Sequence, residues 1–511
     1  MDIKKNSIKT LVIGLALVVL GVIFTSYLYY DFPYISHDTA NNFFVAGKMS
    51  RGEILYKGVI DNNPPSIYLL MHYITNFGWS AKTNALVYYA LVFVFFVLGV
   101  EFLMSRKNWQ DSYFVNAAIL VGYLYLFTGA SLDVREFGQR EHLFALAIYP
   151  LIAASLFQFQ HEKRRHMVFL VIAGFLATMK PQFLLFVFLL ELAAQASRHK
   201  FCVKSWILLL LGPALGLSLW ALHSVESVSA GIRFLYDFHS QGGGDAYKEE
   251  LSRFFWGAED YRGREHGFTA ILSMGIFGVC LWRGWRNKNM DRFRYVLLAV
   301  FIGLSIGFLL LQGKFYHYHF HALTPFVILS GVVCFTELRR SGAVASQLTR
   351  SFALGLSSLL IVSNLYSHYA HWWVNLSLRS GAEEMAVVVE NVKKVYLLST
   401  SALDHMNLYF HKNIELVNSF AYDMELPAVL AIEDENLRDQ ALRRHFRQVR
   451  REIEATNPDL IVFSARPDGI KDAGFLWNTG KYYRRYEGDQ LRGYKQKYMI
   501  DGLVFYSFFY R

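Results

Sequence analysis

The chain has 511 residues, of which 54% are hydrophobic and only 18% are charged. This composition has too little charge and too many apolar runs for a soluble protein built around one core. The formal net charge of +10 does not indicate a nucleic-acid-binding protein, because the basic residues are grouped in alternate gaps between the apolar runs. The composition therefore predicts a polytopic membrane protein.

About eleven apolar stretches predict transmembrane helices, since a helix needs roughly 20 mostly apolar residues to cross a bilayer with its backbone groups paired. The first stretch lies near 11–30 and the last near 351–369. Two of them, 167–179 and 183–196, are short enough to form one re-entrant hairpin instead. The alternation of basic gaps follows the positive-inside rule, which predicts a cytoplasmic N-terminus. With an odd number of spans, the C-terminal segment is expected outside.

The first outside segment, about residues 31–82, begins with two predicted helices. Apolar residues recur at helical spacing from Asp38 onward, and a second helix is predicted from Ser66, after a Pro-Pro pair. Asp38 lies next to His37, just beyond the first span. Its carboxylate is suited to bind a metal ion or to accept a proton from a hydroxyl group. A capping role at the start of the helix is the structural alternative.

The next outside loop, about residues 132–142, is rich in ionisable side chains. Acids in such a loop can position an acceptor or a metal ion, and arginines pair with phosphate oxygens through two parallel hydrogen bonds. The alternative is a set of ion pairs that closes the loop. The residues concerned are Asp133, Arg135, Glu136, Arg140, Glu141 and His142.

Two further sites carry basic residues near predicted span ends. Lys180 lies at a tight turn, and the outside loop at about 312–321 contains Lys314, Tyr316 and His317. Together with the arginines of the preceding loop, these residues are predicted to form a basic cradle for a lipid phosphate or pyrophosphate. The alternating histidines of the later loop also suggest zinc, but they share one face only if that segment is extended.

The C-terminal part of the chain changes composition. The second long outside segment is expected at about 223–266. The third, residues 371–511, is predicted to form a small α/β domain. Strands are predicted at Val395–Ser399 and Asp459–Phe463, and Tyr494–Tyr510 is predicted to be a hairpin around an Asp-Gly pair.

The motifs of the first outside segment occur in an ordered series. Asp38 is followed by Gly52-Glu-Ile-Leu-Tyr56, by Asp61 and by Asn63-Pro-Pro-Ser-Ile-Tyr68. In this order they resemble the GT-C superfamily of membrane glycosyltransferases that use polyprenyl-phosphate sugars, in particular the aminoarabinose and mannosyl transferase branch. In that superfamily an acid follows the first span, then a Gly-x-x-x-Tyr turn and a Pro-Pro-x-x-Tyr entry to the next helix. Residues 313–318 are similar to the family's Lys-x-x-x-Tyr entry to a late span.

The resemblance implies roles for particular residues. Asp38 is expected to be the general base or the acid that positions a metal ion, and Asp133, Glu136 or Glu141 is the expected second acid. A divalent cation, Mg²⁺ or Mn²⁺, is the only cofactor considered, with Asp38 as its candidate ligand. The predicted substrate-binding residues are His37, Asp61, Asn63, Arg135, Arg140, Glu141, His142, Lys180, Lys314, Tyr316 and His317.

The expected fold class is mainly α, with a GT-C-like transmembrane bundle over residues 1–370 and an extracytoplasmic α/β domain over 371–511. The expected activity is transfer of a sugar, with inversion, from a polyprenyl-phosphate donor to a lipid-linked or cell-surface glycan. The expected partners are this donor, the glycan acceptor and membrane lipids, and the expected location is a bacterial inner membrane with the site facing the periplasm or exterior. The alternatives are a glycan polymerase or ligase acting on lipid-pyrophosphate glycans, and a flippase or transporter of lipid-linked sugars.

Overall fold

The computed structural model describes the following residues of the chain: 9–21, 37–61, 63–105, 113–132, 137–157, 163–198, 202–240, 274–275, 278–279, 282, 291–312, 323–340, 392–398, 414–419, 429, 434–465, 495–500 and 505–510. The chain divides into two compact units, each discontinuous in sequence. The first comprises residues 1–25, 86–219 and 250–372, and the second comprises 26–85, 220–249 and 373–511. The predicted boundary at residue 370 stays a prediction.

The first unit is built from long apolar helices. Its described helices, including two that continue into the second unit, are α1 (Lys9–Gly21), α4 (Ala81–Met104), α5 (Tyr113–Leu132), α6 (Arg140–Leu156), α7 (Lys163–Ala177), α8 (Pro181–Arg198), α9 (Val203–His223), α11 (Asp291–Gln312) and α12 (Thr324–Arg340). Helices α4 and α9 are long and apolar enough to cross a membrane. Shorter apolar helices occur within α1, α5, α7, α8, α11 and α12.

Large apolar side chains on these helices are exposed as well as buried. Val94 on α4, Val121 on α5 and Leu210 on α9 are each more than half exposed. Such helices are apolar around much of their circumference, which is the pattern of a helix that faces lipid rather than water. These helices have the composition expected of membrane-spanning helices. The fold class is mainly α, as predicted.

The first unit is packed through aromatic stacking and close backbone contact. Phe144 at the start of α6 stacks on Phe183 at the start of α8, with ring centroids 3.9 Å apart. Tyr123 of α5 and Tyr149 of α6 also stack, and the Tyr123 hydroxyl donates to the Leu146 carbonyl across the same pair of helices. The Phe144–Phe183 contact holds the beginnings of α6 and α8 beside each other, and the two Tyr123 contacts join α5 to α6.

The second unit combines the first outside segment with the C-terminal residues. Helices α2 (His37–Ser50) and α3 (Ser66–Thr75) pack on each other, and α10 (Val225–Ser240) follows α9. Both α2 and α3 were predicted from the sequence, and both are confirmed. Between them the chain makes a tight turn in which the Tyr56 amide donates to the Val59 carbonyl at 2.7 Å.

The C-terminal domain is a five-stranded sheet with the order β2-β1-β3-β5-β4. Its strands are β1 (Lys394–Leu398), β2 (Glu415–Leu416), β3 (Leu460–Ala465), β4 (Lys495–Ile500) and β5 (Phe505–Tyr510). Strands β2, β1 and β3 are parallel, and β5 pairs antiparallel with both β3 and β4. The predicted strands at β1 and β3 and the predicted hairpin of β4 and β5 are confirmed.

Helix α13 (Glu435–Thr456) connects β2 to β3 and was not predicted. Asp434 caps it by accepting hydrogen bonds from the amides of Asn436 and Leu437, and Asn457 ends it in the left-handed conformation. Its buried residues recur at spacings of three and four: Leu442, His445, Phe446, Val449 and Ile453. That spacing and the Asp cap are both visible in the sequence.

Candidate functional site

The structure brings two groups of the predicted residues together, one in each unit. Arg140, Glu141, His142 and Lys180 belong to the first unit, while Asp38, Asp61 and Asn63 belong to the second. His37 begins α2, and the structure does not describe its side chain. The remaining predicted residues lie outside the described part of the chain: Asp133, Arg135, Glu136, Lys314, Tyr316 and His317.

In the first unit, a buried ion pair joins two helices that are distant in sequence. The Lys180 ammonium group donates to the Glu141 carboxylate, and Glu141 is only 1% exposed. Glu141 lies in the first turn of α6, where the helix dipole favours a negative charge. Lys180 closes the turn between α7 and α8. Arg140 and His142, on either side of Glu141, are also buried. Four ionisable side chains are therefore buried here, three in the first turn of α6 and one in the turn before α8.

The turn before α6 fixes the orientation of this cluster. Gly138 has a φ of +78°, and a Cβ there would lie 2.8 Å from the ring of Tyr88. Its amide donates to Nδ1 of His142 at 3.0 Å, and its carbonyl accepts from the Tyr88 hydroxyl. Because Nδ1 of His142 is an acceptor, the neutral ring carries its proton on Nε2. The Gly138 turn therefore sets both the position and the tautomer of His142.

In the second unit, Asp61 organises the turn between α2 and α3. Its carboxylate accepts hydrogen bonds from the Asn41 side chain at 2.6 Å, from the Asn63 amide at 2.9 Å and from the Asn63 side chain at 2.7 Å. The Tyr56 hydroxyl donates to the Asn63 carbonyl, and Tyr56 has a φ of +67°. A non-glycine residue in this region is unusual and is held there by its surroundings. Asp61 thus fixes the loop that the sequence motifs define.

Asp38 is the second residue of α2 and is half-buried. It lies three residues before Asn41, so both side chains are on the same face of the helix. Since Asn41 donates to Asp61, this is the face of α2 toward the Asp61 turn. As an acid in the first turn, Asp38 also interacts favourably with the helix dipole, so the predicted catalytic role and the helix-stabilising role both fit its position.

Residues of the C-terminal domain form hydrogen bonds that hold the turn between α2 and α3. These contacts were not predicted. The Ile60 amide donates to the Ser419 carbonyl at 2.9 Å, and the Ser419 amide donates to the carboxylate of Glu452 on α13. Glu452 also accepts from the Tyr396 hydroxyl at 3.0 Å. Burial raises the pKa of Glu452, and these hydrogen bonds act against that rise. The sequence could not indicate this link because its members lie on four separate segments.

Among the described residues, no group of three or more histidine, cysteine, aspartate or glutamate side chains is arranged to hold a metal ion. Both carboxylate oxygens of Asp61 accept from amides, so that acid is engaged with protein donors. Asp38 remains the candidate metal ligand, and the cation stays a prediction.

No protein-family model matches the sequence, and no curated protein matches it. Three crystal structures are similar in fold. ArnT from Cupriavidus metallidurans bound to undecaprenyl phosphate has 11% identity and a TM-score of 0.47, with 98% of this chain and 97% of that chain covered. The apo state of the same protein gives 12% identity and a TM-score of 0.46, covering 98% and 97%.

The third structure is the Archaeoglobus fulgidus oligosaccharyltransferase tethered to an acceptor peptide that contains the NVT sequon. It has 13% identity and a TM-score of 0.45, and covers 96% of this chain and 72% of that chain. All three are likenesses of fold.

Proposed function

We propose that this chain is an integral-membrane glycosyltransferase. It takes a sugar from a polyprenyl-phosphate donor and transfers it, with inversion, to a lipid-linked or cell-surface glycan. The proposed location is a bacterial inner membrane, with the reaction on the periplasmic or outer face. A lipid-phosphate donor is favoured because nucleotide sugars are confined to the cytoplasm, whereas the charge pattern predicts that the ionisable loops lie outside.

The observation that supports the proposal most strongly is the buried cluster of Arg140, Glu141, His142 and Lys180. Ionisable groups among membrane helices are costly and occur mainly where they bind a substrate or ion. A polyprenyl phosphate has its tail in the bilayer and its phosphate at the edge of the bilayer, so a binding site needs cations at the ends of apolar helices. Arg140 at the start of α6 and Lys180 in the turn just before α8 have this position.

In the proposed mechanism, Asp38 accepts the proton of the acceptor hydroxyl as that oxygen attacks the sugar's anomeric carbon. The bond from the anomeric carbon to the phosphate oxygen breaks, and the leaving phosphate retains the bonding electron pair. A fixed cation beside that oxygen would stabilise the developing negative charge, which is the step at which such cations accelerate the reaction most. The Lys180 ammonium group donates to the carboxylate of Glu141, which follows Arg140 in the first turn of α6.

A divalent cation at Asp38 is a further part of the proposal. Carboxylate oxygens are the ligands that Mg²⁺ and Mn²⁺ prefer, and Asp38 supplies one such group. When bound, the ion would offset the charge of the donor phosphate. Loss of transfer after chelation, with recovery on adding Mg²⁺ or Mn²⁺, is the expected result.

The test is the Asp38→Asn variant, assayed with a radiolabelled polyprenyl-phosphate sugar and an extract of cell-envelope glycolipids as acceptor. The variant is expected to lose roughly a hundredfold or more in rate, because proton transfer by a side chain contributes a factor of this order. Glu435→Gln is the matched control, since it removes an exposed first-turn acid from another helix. If the Asp38→Asn variant transfers sugar at the parent's rate, Asp38 is not the catalytic base and only stabilises the start of α2.

The choice of donor separates the proposal from its rivals. A polymerase or ligase would use a lipid-pyrophosphate glycan and not a polyprenyl-monophosphate sugar. A flippase would move the lipid-linked sugar across a vesicle membrane and form no glycosidic product. Either result with the purified parent protein would refute the proposed reaction.

A further inference from the structure

Helix α13 has one face that is strongly basic. The stretch from residue 440 to residue 451 contains five arginines and no acidic residue. Arg450 pairs with Glu454, while Arg443, Arg444, Arg447 and Arg451 are exposed. In the described part of the chain, none of these four forms a salt bridge.

The four exposed arginines form one continuous stripe. At 3.6 residues per turn they lie within about 100° of the helix circumference and extend along about 12 Å of its axis. The opposite face contains the buried residues Leu442, Phe446 and Val449. The apolar face of the helix is therefore already covered, so α13 cannot bind a partner by inserting that face.

The stripe is unfavourable for the isolated domain. Arg443, Arg447 and Arg451 are spaced four residues apart, and like charges at that spacing repel and destabilise a helix. An anionic partner would remove this repulsion. Every basic residue in the stretch, apart from the histidine, is an arginine and none is a lysine. The planar guanidinium group of arginine binds phosphate oxygens through two hydrogen bonds.

We propose that the arginine face of α13 binds the anionic phospholipid headgroups of the bilayer in which the protein is embedded. The face is an exposed helix surface, which suits a flat array of phosphates better than a single enclosed ligand. Two of the protein's helices are long and apolar enough to cross a membrane, and a protein held in a bilayer by them has headgroups at high local concentration. Basic clusters near a membrane are attracted to anionic lipids in this way. The inference does not depend on the proposed glycosyl transfer.

The experiment uses the full-length protein in nanodiscs, with Cys202, Cys280 and Cys334 replaced by serine and a fluorophore attached through Gln448→Cys. Position 448 is exposed beside the arginine face. Headgroup spin-labelled lipid quenches the fluorophore only at short distance. Replacing about 30% of the phosphatidylcholine by phosphatidylglycerol is expected to increase quenching by about twofold. Roughly 0.5 M salt is expected to reverse the increase, because it shortens the Debye length to a few ångströms.

The variants test whether the arginines cause this response. Changing Arg443, Arg447 and Arg451 together to glutamate should abolish the dependence on phosphatidylglycerol, and changing all three to glutamine should do the same without charge reversal. The charge-matched control Arg51→Glu, Arg233→Glu and Lys393→Glu alters three exposed basic residues that are not part of α13 and should respond like the parent. Hydrogen exchange in α13 verifies that the helix is intact.

Equal quenching in the two lipid mixtures would refute the inference, and so would a glutamine variant that responds like the parent. Quenching that changes only when a phosphorylated glycolipid acceptor is added would also refute it, since the partner would then be a substrate. Unchanged glycosyl transfer in the glutamine variant would leave the lipid-binding result unaffected, because the two measurements are independent.

Discussion

The buried pair of Glu141 and Lys180 is the residue-level feature with the clearest energetic consequence. Removing two charges from water costs several kcal/mol per ion, and their attraction recovers this only while both are present. The pair joins the first turn of α6 to the turn before α8. The intact pair therefore adds little to the free energy of unfolding. Losing one partner lowers that free energy strongly, because the other charge stays buried and unpaired.

We expect Lys180→Met to destabilise the protein by about 3–5 kcal/mol, because it leaves the Glu141 carboxylate buried without its cation. The double variant Glu141→Gln with Lys180→Met should recover most of this loss. Lys204→Met, which removes an exposed lysine at the start of α9, should be close to neutral. Denaturant unfolding in detergent measures all three. A Lys180→Met variant as stable as the parent would show that the pair does not form.

Sequence reasoning selected both members of this pair but not their contact. Glu141 was assigned to an acidic loop and Lys180 to a basic cradle, and they lie 39 positions apart on different helices. Asp61 was also selected from the sequence, but its partner Asn41, 20 positions away, was not. Residue types at span ends indicate chemistry, but the partners are set by helix packing. Local patterning contains no information about that packing.

At the scale of elements, α7 and α9 approach so closely that only glycine fits between them. A Cβ on Gly174 would lie 2.4 Å from the Leu209 carbonyl oxygen, and one on Gly212 would lie 2.4 Å from the Phe175 amide nitrogen. Both neighbours are backbone atoms, which cannot rotate away. Small residues at such crossings allow membrane helices to pack backbone against backbone.

We expect Gly212→Ala to destabilise the protein by about 1–3 kcal/mol, since the added methyl group must push the two helices apart. Gly307→Ala in α11 is the matched control, because nothing lies within 4 Å of the position that its new methyl group would occupy. That variant should be neutral or slightly stabilising, as alanine favours a helix more than glycine does. Thermal unfolding of both variants tests the contact. Equal stability of the two would mean that α7 and α9 are farther apart.

His72 connects α3 to α2 and to the end of α9. Its Nδ1 lies 3.1 Å from the Ser50 hydroxyl, its Nε2 lies 3.1 Å from the Asn76 amide group, and its ring packs against that of His223. Burial lowers the pKa of His72 below 6.5, and the nearby His223 lowers it further. Thr75 and Tyr73 are the other polar side chains beside it. The folded state therefore favours a neutral ring.

This pKa shift predicts how stability changes with pH. As the pH falls through about 6.5, the unfolded chain binds a proton at His72 and the folded state does not, so the free energy of unfolding decreases. The decrease ends below the folded-state pKa. His72→Asn should show a flatter dependence between about pH 8 and pH 5, with the difference confined to the acidic side. Urea unfolding at several pH values tests this, and identical slopes would contradict it.

At the scale of the whole molecule, patterns with a fixed period were predicted well. Alternating and β-branched runs gave β1, β3 and the β4–β5 hairpin, and apolar runs gave the membrane helices. Helix α13 was missed because it is rich in arginine and polar residues, although its apolar stripe has helical spacing. The joining of residues 26–85 and 373–511 in one unit was also not predicted. Contacts between distant segments, such as that of Ile60 with Ser419, cannot be predicted from local sequence patterns.

The orientation in the membrane is the last expectation, and it rests on charge placement in the sequence. Basic clusters remain on the cytoplasmic side during insertion, because translocating lysine and arginine is unfavourable.

Cys202 is exposed and lies in one of these basic gaps. An impermeant thiol reagent added to intact cells should therefore leave it unmodified until the membrane is permeabilised. In a background lacking the native cysteines, Asp404→Cys should react from outside and Lys288→Cys should not, although both positions lie outside the described residues. Mass spectrometry of the labelled peptides gives the result. Modification at position 288 in intact cells would reverse the orientation and place the ionisable loops in the cytoplasm, where a nucleotide sugar would become the expected donor.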